Sequence, residues 1–187
     1  MIKKTRIFLG TFIQNSEIKT DIFLESFFPE NQLRAVKREN LHLTWKFIGD
    51  VDEDELEKIK IILDSTLNYP LDVKLRFDRF EIWPNLNNPR QLVLTGNDLN
   101  GNATQIYKNL NNSLAKIVKK EKRAFRPHIT FARFKNIQNP VITDDLINRF
   151  KNTIVKIHNI SLIESILTPQ GSIYNTIQKY PICNPNF

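Results

Sequence analysis

Two tetrapeptides of one pattern, His42-Leu43-Thr44-Trp45 and His128-Ile129-Thr130-Phe131, hold two of the three histidines in the chain. Each lies in a stretch that reads as a β-strand. Alternate strand residues share a face, so His and Thr project together while the aliphatic and aromatic residues enter a core. The copies stand 86 residues apart (128 − 42), one in each half of a 187-residue chain. Such a chain is expected to fold as a single domain, residues 1–187, with two similar halves. If a pseudo-two-fold axis relates the halves, both tetrapeptides face one cleft.

The patterning between the motifs fits a mixture of strands and helices. Lys4 to Phe12 alternates as a strand, and Ser16 to Phe28 carries Ile18, Ile22, Phe23 and Phe27 at helical spacing up to Pro29. Leu41 to Ile48 is a strand closed by Gly49-Asp50, and Asp52 with Glu55 forms a capping-box start for a helix displaying Leu56, Ile59, Ile62, Leu63 and Leu67. Strands are expected at Leu71 to Ile82 and Gln91 to Leu94, joined by the turn WPNLNNPR. A third helix carries Ile106, Leu110, Leu114, Ile117 and Val118 and ends in the basic run KKEKR. The second half repeats the theme, with a strand at His128 to Phe134, a helix at Asp144 to Lys151, and strands at Thr153 to Leu167 and Ser172 to Tyr180.

Paired histidines suit phosphodiester cleavage, because an imidazole pKa near 6.5 lets one ring be neutral while the other is protonated. One takes a proton from water and the other gives a proton to the leaving alkoxide. Threonine hydroxyls donate to the non-bridging oxygens, where charge accumulates. The spacing leaves open which histidine is acid and which is base. No metal is expected: a zinc site needs three protein ligands, His158 is the only further histidine, and HExxH spacing is absent. Lys46, four residues after His42, and Arg126, two before His128, share their histidine's face unless a bulge intervenes. Either would neutralise a phosphate, or else stand as a solvated cation at a strand end. Arg133 and Lys135, at the far end of the second strand, receive no role.

Lys and Arg exceed Asp and Glu by seven, 27 against 20, which favours anionic partners such as RNA, nucleotides or phosphate esters. Cys183 is the only cysteine, so an intramolecular disulfide and a cysteine-based metal cluster are both excluded. No apolar run approaches the roughly 20 residues needed to cross a bilayer. The N-terminal apolar stretch reads as a strand rather than a secretory signal, so no membrane association, a cytoplasmic location and a monomer are expected.

At these residues the chain resembles the 2H phosphoesterases, and within them the RNA 2′,3′-cyclic phosphodiesterases, historically called 2′-5′ RNA ligases. The resemblance covers RIFLGTF, NLHLTWKFIGDV, Pro89-Arg90 before a strand, FRPHITFARFK and the closing SILTPQGSIYNTIQKYPI. It implies a two-lobed, pseudo-symmetric α+β fold, each lobe an antiparallel sheet with helices outside, with the active cleft between lobes. It implies cofactor-free hydrolysis of cyclic phosphate ends of RNA or oligonucleotides to a 2′-phosphate. His42 would be the proton donor, His128 the proton acceptor, and Thr44 and Thr130 the phosphate-binding hydroxyls. Tyr174 follows Gly171-Ser172 as in relatives, and Trp45 stands where relatives often carry an aliphatic residue. Alternatives within the same chemistry are an ADP-ribose cyclic phosphate or a 2′-5′-linked oligoadenylate as substrate. A non-catalytic RNA-binding module is the rival from another class, and the intact motifs argue against it.

Overall fold

Alternating patterning carries most of the chain into one antiparallel sheet. The computed structural model describes residues 4–13, 18, 28, 32–68, 71–135, 140–150, 152–169 and 171–182. In chain order the elements are β1 (Thr5–Phe12), β2 (Leu33–Ala35), a 3-10 turn (Arg38–Asn40), β3 (His42–Val51), α1 (Glu53–Thr66), β4 (Val73–Asn85), β5 (Asn88–Asp98), α2 (Asn102–Ser113), β6 (His128–Phe134), α3 (Asp144–Phe150), β7 (Thr153–Ile157), β8 (Asn159–Thr168) and β9 (Gly171–Pro181). Most of the helix expected over Ser16 to Phe28, with Pro29, lies outside the described residues, as do Pro70, Lys151 and Cys183.

The strand order is β7-β4-β5-β6-β3-β1-β8-β9, with β2 added beside β6. It divides at β6/β3 into two four-strand groups, each with its motif strand at the junction. These groups are not the two halves of the sequence. β4 follows β3 and α1 but pairs with β5, beside β6; β8 follows β6, α3 and β7 but pairs with β1, beside β3. The halves are therefore interleaved. α2 packs across β3, β4 and β5, α1 leans on α2, and α3 sits on β4. One apolar cluster includes residues from both groups, among them Leu9, Leu43, Trp45, Phe77, Leu94, Ile129 and Leu162.

Several local expectations hold for identifiable reasons. Asp52 accepts from the Glu55 amide at 2.9 Å while Glu55 accepts from the Asp52 amide at 3.1 Å, which satisfies donors that α1 would otherwise leave open. Three expectations differ. The third helix ends at Ser113, so Leu114, Ile117, Val118 and the KKEKR run follow it as turns and loop. The strands of the β4–β5 hairpin run through Pro84 and Pro89 to a tight turn at Leu86-Asn87, where the Asn85 side chain accepts from the Asn88 amide at 3.0 Å. Thr153 to Leu167 is not one strand: it breaks at His158, with β7 pairing β4 and β8 pairing β1 in the other group. Alternation records which face a residue takes but not which strand lies beside it. Among the described residues, no helix is long and apolar enough to cross a membrane.

Candidate active site

The two motif strands meet at a single paired position, Leu43 opposite Ile129, antiparallel. Extending that register by one residue each way sets His42 against Thr130 and Thr44 against His128. All four share the face opposite the buried Leu43 and Ile129 side chains, because alternate strand residues do. Two imidazoles and two hydroxyls thus occupy the corners of one patch, with the pseudo-two-fold axis passing between them.

A β-bulge follows the threonine in both motifs. The β1–β3 register shifts between Leu9 and Gly10, leaving Trp45 unpaired, and the β5–β6 register shifts between Leu92 and Val93, leaving Phe131 unpaired. An extra residue reverses the alternation beyond it. Trp45 and Lys46 are therefore both buried, as are Phe131 and Ala132, while Phe47 and Arg133 become exposed. This corrects the placement expected of Lys46. The bulge turns it off the face of His42, and the residue is 1% exposed, its ammonium donating to Asn111 Oδ1 at 2.9 Å and to the Lys119 carbonyl at 3.2 Å. Asn111 in turn bonds the backbone of Glu121. Lys46 pins the loop after α2 to the sheet.

The histidines are anchored alike. His42 Nδ1 lies 2.7 Å from the Asn40 carbonyl and His128 Nδ1 lies 2.9 Å from the Arg126 carbonyl, in each case the residue two positions earlier. A carbonyl only accepts, so each Nδ1 carries the proton and each Nε2 is left to exchange one with a ligand. Their surroundings differ. The His42 ring sits among Phe8 at 5.0 Å, Tyr174 at 5.1 Å and Phe12 at 6.3 Å. Phe8 reaches it by lying over Gly10, where an added Cβ would stand 2.9 Å from the Phe8 ring. Burial pushes His42 below its ordinary pKa; the Asn40 carbonyl opposes this, and the positive charges of His128 and Arg133 add to it.

His128 instead packs against Trp83, with centroids 4.5 Å apart. Burial lowers its pKa too, opposed by the Arg126 carbonyl, reinforced by the charges of Arg126 and Arg123, and offset by Glu81. Arg126 lies on this side of the patch, with its guanidinium 5.0 Å from the Trp83 ring centroid and bonded to Glu81. Burial disfavours the Glu81 carboxylate, but donation from Trp83, Thr95 and Arg126 outweighs it and holds the pKa below the usual carboxylate range. Arg126 therefore arrives with its charge partly compensated. A cleft of about 700 Å³ opens from Thr44 and His128 along Trp83 and Arg126.

Arg133, Trp83, Glu81 and the Phe8, Phe12 and Tyr174 rings belong to the site but had no assigned role in the sequence. Arg133 was the most accessible, since the bulge rule that removes Lys46 from the face also returns the residue five places after each histidine to it. The aromatic rings come from β1 and β9, whose adjacency to β3 no local pattern reveals.

Strands that present paired H-x-T motifs across a pseudo-two-fold junction define a phosphoesterase class. The model of the family described as LigT like Phosphoesterase matches residues 23–93 and again 96–174, each stretch carrying one motif, and the chain belongs to this family. It is 34% identical over 180 residues to the RNA 2′,3′-cyclic phosphodiesterase of Methanocaldococcus jannaschii, covering 94% of this chain and 99% of that relative. The protein of the same name from Archaeoglobus fulgidus is 27% identical over 179 residues, covering 94% and 99%. Among solved structures, LigT of E. coli complexed with 3′-AMP superposes with a TM-score of 0.75 at 18% identity, covering 97% of this chain and 100% of that one. At that identity the likeness concerns the fold.

Proposed function

We propose that this protein hydrolyses 2′,3′-cyclic phosphate ends of RNA or oligonucleotides to 2′-phosphates, with His42 as proton donor and His128 as proton acceptor. The observation that carries the reading is the four-cornered patch, in which two carbonyl-anchored imidazoles present free Nε2 atoms beside two threonine hydroxyls. Relatives that share nearly the whole length bear the name of this activity.

Water attacks phosphorus as His128 Nε2 takes its proton, the bond from phosphorus to O3′ breaks, and His42 Nε2–H protonates the departing oxygen. Thr44 and Thr130 donate to the non-bridging oxygens as charge builds there. Arg133, whose charge is felt at His42, takes the phosphate-neutralising part expected of Lys46, with Arg126 on the opposite side. The polarity follows the family resemblance; the surroundings of the two rings differ, His42 lying within aromatic rings and His128 beside Trp83 at the open cleft. These groups supply acid, base and charge stabilisation without a metal or cofactor. Both motifs come from one chain, which fits a monomeric enzyme.

Incubation of the EDTA-treated protein with a panel of cyclic-phosphate substrates, with products read by phosphorus NMR, tests the reading. A 2′-phosphate product in chelator is expected. Activity that vanishes in EDTA and returns with a divalent ion would overturn the mechanism, and activity confined to other cyclic phosphates would overturn the substrate.

A further inference from the structure

The cleft is asymmetric about the histidine pair. From His128 and Thr44 it runs away from His42 and reaches Phe47, Arg90 and Arg123. Phe47 is 47% exposed on the face to which the bulge returns it, and the Arg6 guanidinium lies 4.8 Å from its ring centroid, holding the ring between a cation and solvent. Trp83 forms part of the same wall. Arg90 makes no ion pair among the described residues, and Arg123 is 89% exposed with only a 3.5 Å contact to Glu121. At the equivalent place on the other side of the axis stands a cation, Arg133, rather than an aromatic ring. Duplicated strands have thus diverged into one arm with aromatic surface and arginines together.

Aromatic platforms beside exposed arginines fit single-stranded nucleic acid, whose bases stack and whose backbone is anionic. A cyclic phosphate terminates its strand, so every further nucleotide leaves through the 5′ oxygen of the terminal ribose and needs a path away from the histidines. We infer that the arm past Thr44 to Phe47 holds the nucleotides preceding the cyclic end, one base stacking on Phe47 and the backbone meeting Arg90 and Arg123. The ligand is a single-stranded RNA end of two or more nucleotides, which the protein prefers to a cyclic mononucleotide. This rests on the proposed function and names the substrate of the same site.

The test compares a cyclic mononucleotide with a trinucleotide ending in a 2′,3′-cyclic phosphate, in the wild type, Phe47→Ala and Arg90→Gln. In parallel, binding of a trinucleotide 2′-phosphate and of a nucleoside 2′-phosphate is measured. The wild type should favour the trinucleotide by about 10-fold or more. Phe47→Ala should lower kcat/KM and affinity for the trinucleotide roughly 5- to 100-fold, the range of one lost stacking contact, with mononucleotide turnover unchanged. The arginine variant should do the same and flatten the salt dependence. A wild-type ratio near one, or variants that impair both substrates equally, would overturn the inference. If neither cyclic compound turns over while the trinucleotide phosphate still binds through Phe47, the proposed function fails and the RNA path stands. If the trinucleotide phosphate binds no better than the mononucleotide, the path fails.

Discussion

Lys46→Met separates a structural ammonium from a phosphate ligand. The side chain is 1% exposed, and its Nζ donates to Asn111 Oδ1 at 2.9 Å and to the Lys119 carbonyl at 3.2 Å. A hydrogen bond from a charged donor contributes about 1.5–3 kcal/mol, so two set an upper bound near 6 kcal/mol. Three features reduce that figure. Asn111 Oδ1 keeps the Glu121 amide at 2.8 Å, Lys119 is exposed so that water replaces part of the second bond, and Met removes the cost of burying a cation while matching the apolar stem. A net loss of about 1.5–3 kcal/mol remains. For a chain of this size that lowers Tm by roughly 3–12 °C. Thermal melts followed by circular dichroism read the stability, and kcat/KM at 25 °C, where the variant stays folded, should lie within about 3-fold of wild type. A variant as stable as wild type but more than about 100-fold slower would refute the reasoning, since the ammonium would then be acting on substrate.

The pH dependence of kcat/KM should be bell-shaped and report a coupled pair, rising as one imidazole loses its proton and falling as the other does. Burial lowers both pKa values, so in the free enzyme the bell should lie on the acid side of the ordinary histidine value near 6.5, whereas kcat should shift to higher pH because a bound anion favours imidazolium. A profile that only rises between about pH 5 and 9 excludes the scheme. His42→Ala and His128→Ala should each slow turnover of a natural cyclic phosphate by about 10²- to 10⁴-fold, with the exposed His158→Ala near wild type. On a nitrophenyl phosphodiester, whose leaving group needs no proton, His42→Ala should lose far less; rescue of His128→Ala instead would reverse the polarity.

Near-identical motifs need different roles in this mechanism, and their neighbours supply the difference. His42 is enclosed by three aromatic rings, while His128 shares its surroundings with Trp83, Arg126, Arg123 and Glu81. Environment, rather than residue type, assigns two like groups to unlike tasks. The same divergence extends outward to Phe47 on one strand and Arg133 on the other.

What the sequence determined by itself was local and periodic. The H-x-T repeats, the capping box before α1 and the strand alternation depend on residues a few positions apart, so both motif strands and their shared face were legible, as were α1 and α3 to within a turn, whereas α2 stops at Ser113, short of the KKEKR run expected to end it. Lys46 marks where that reasoning stopped. Its side was conditional on a bulge, and a bulge exists only relative to a partner strand, here β1, whose register slips between Leu9 and Gly10. The break of the 153–167 stretch at His158, the crossing of β4 and β8 between groups, and the gathering of Phe8, Phe12 and Tyr174 around His42 have the same origin. Each depends on which distant strands lie side by side, a choice made by burying one core that spans both groups, and only the tertiary structure records it.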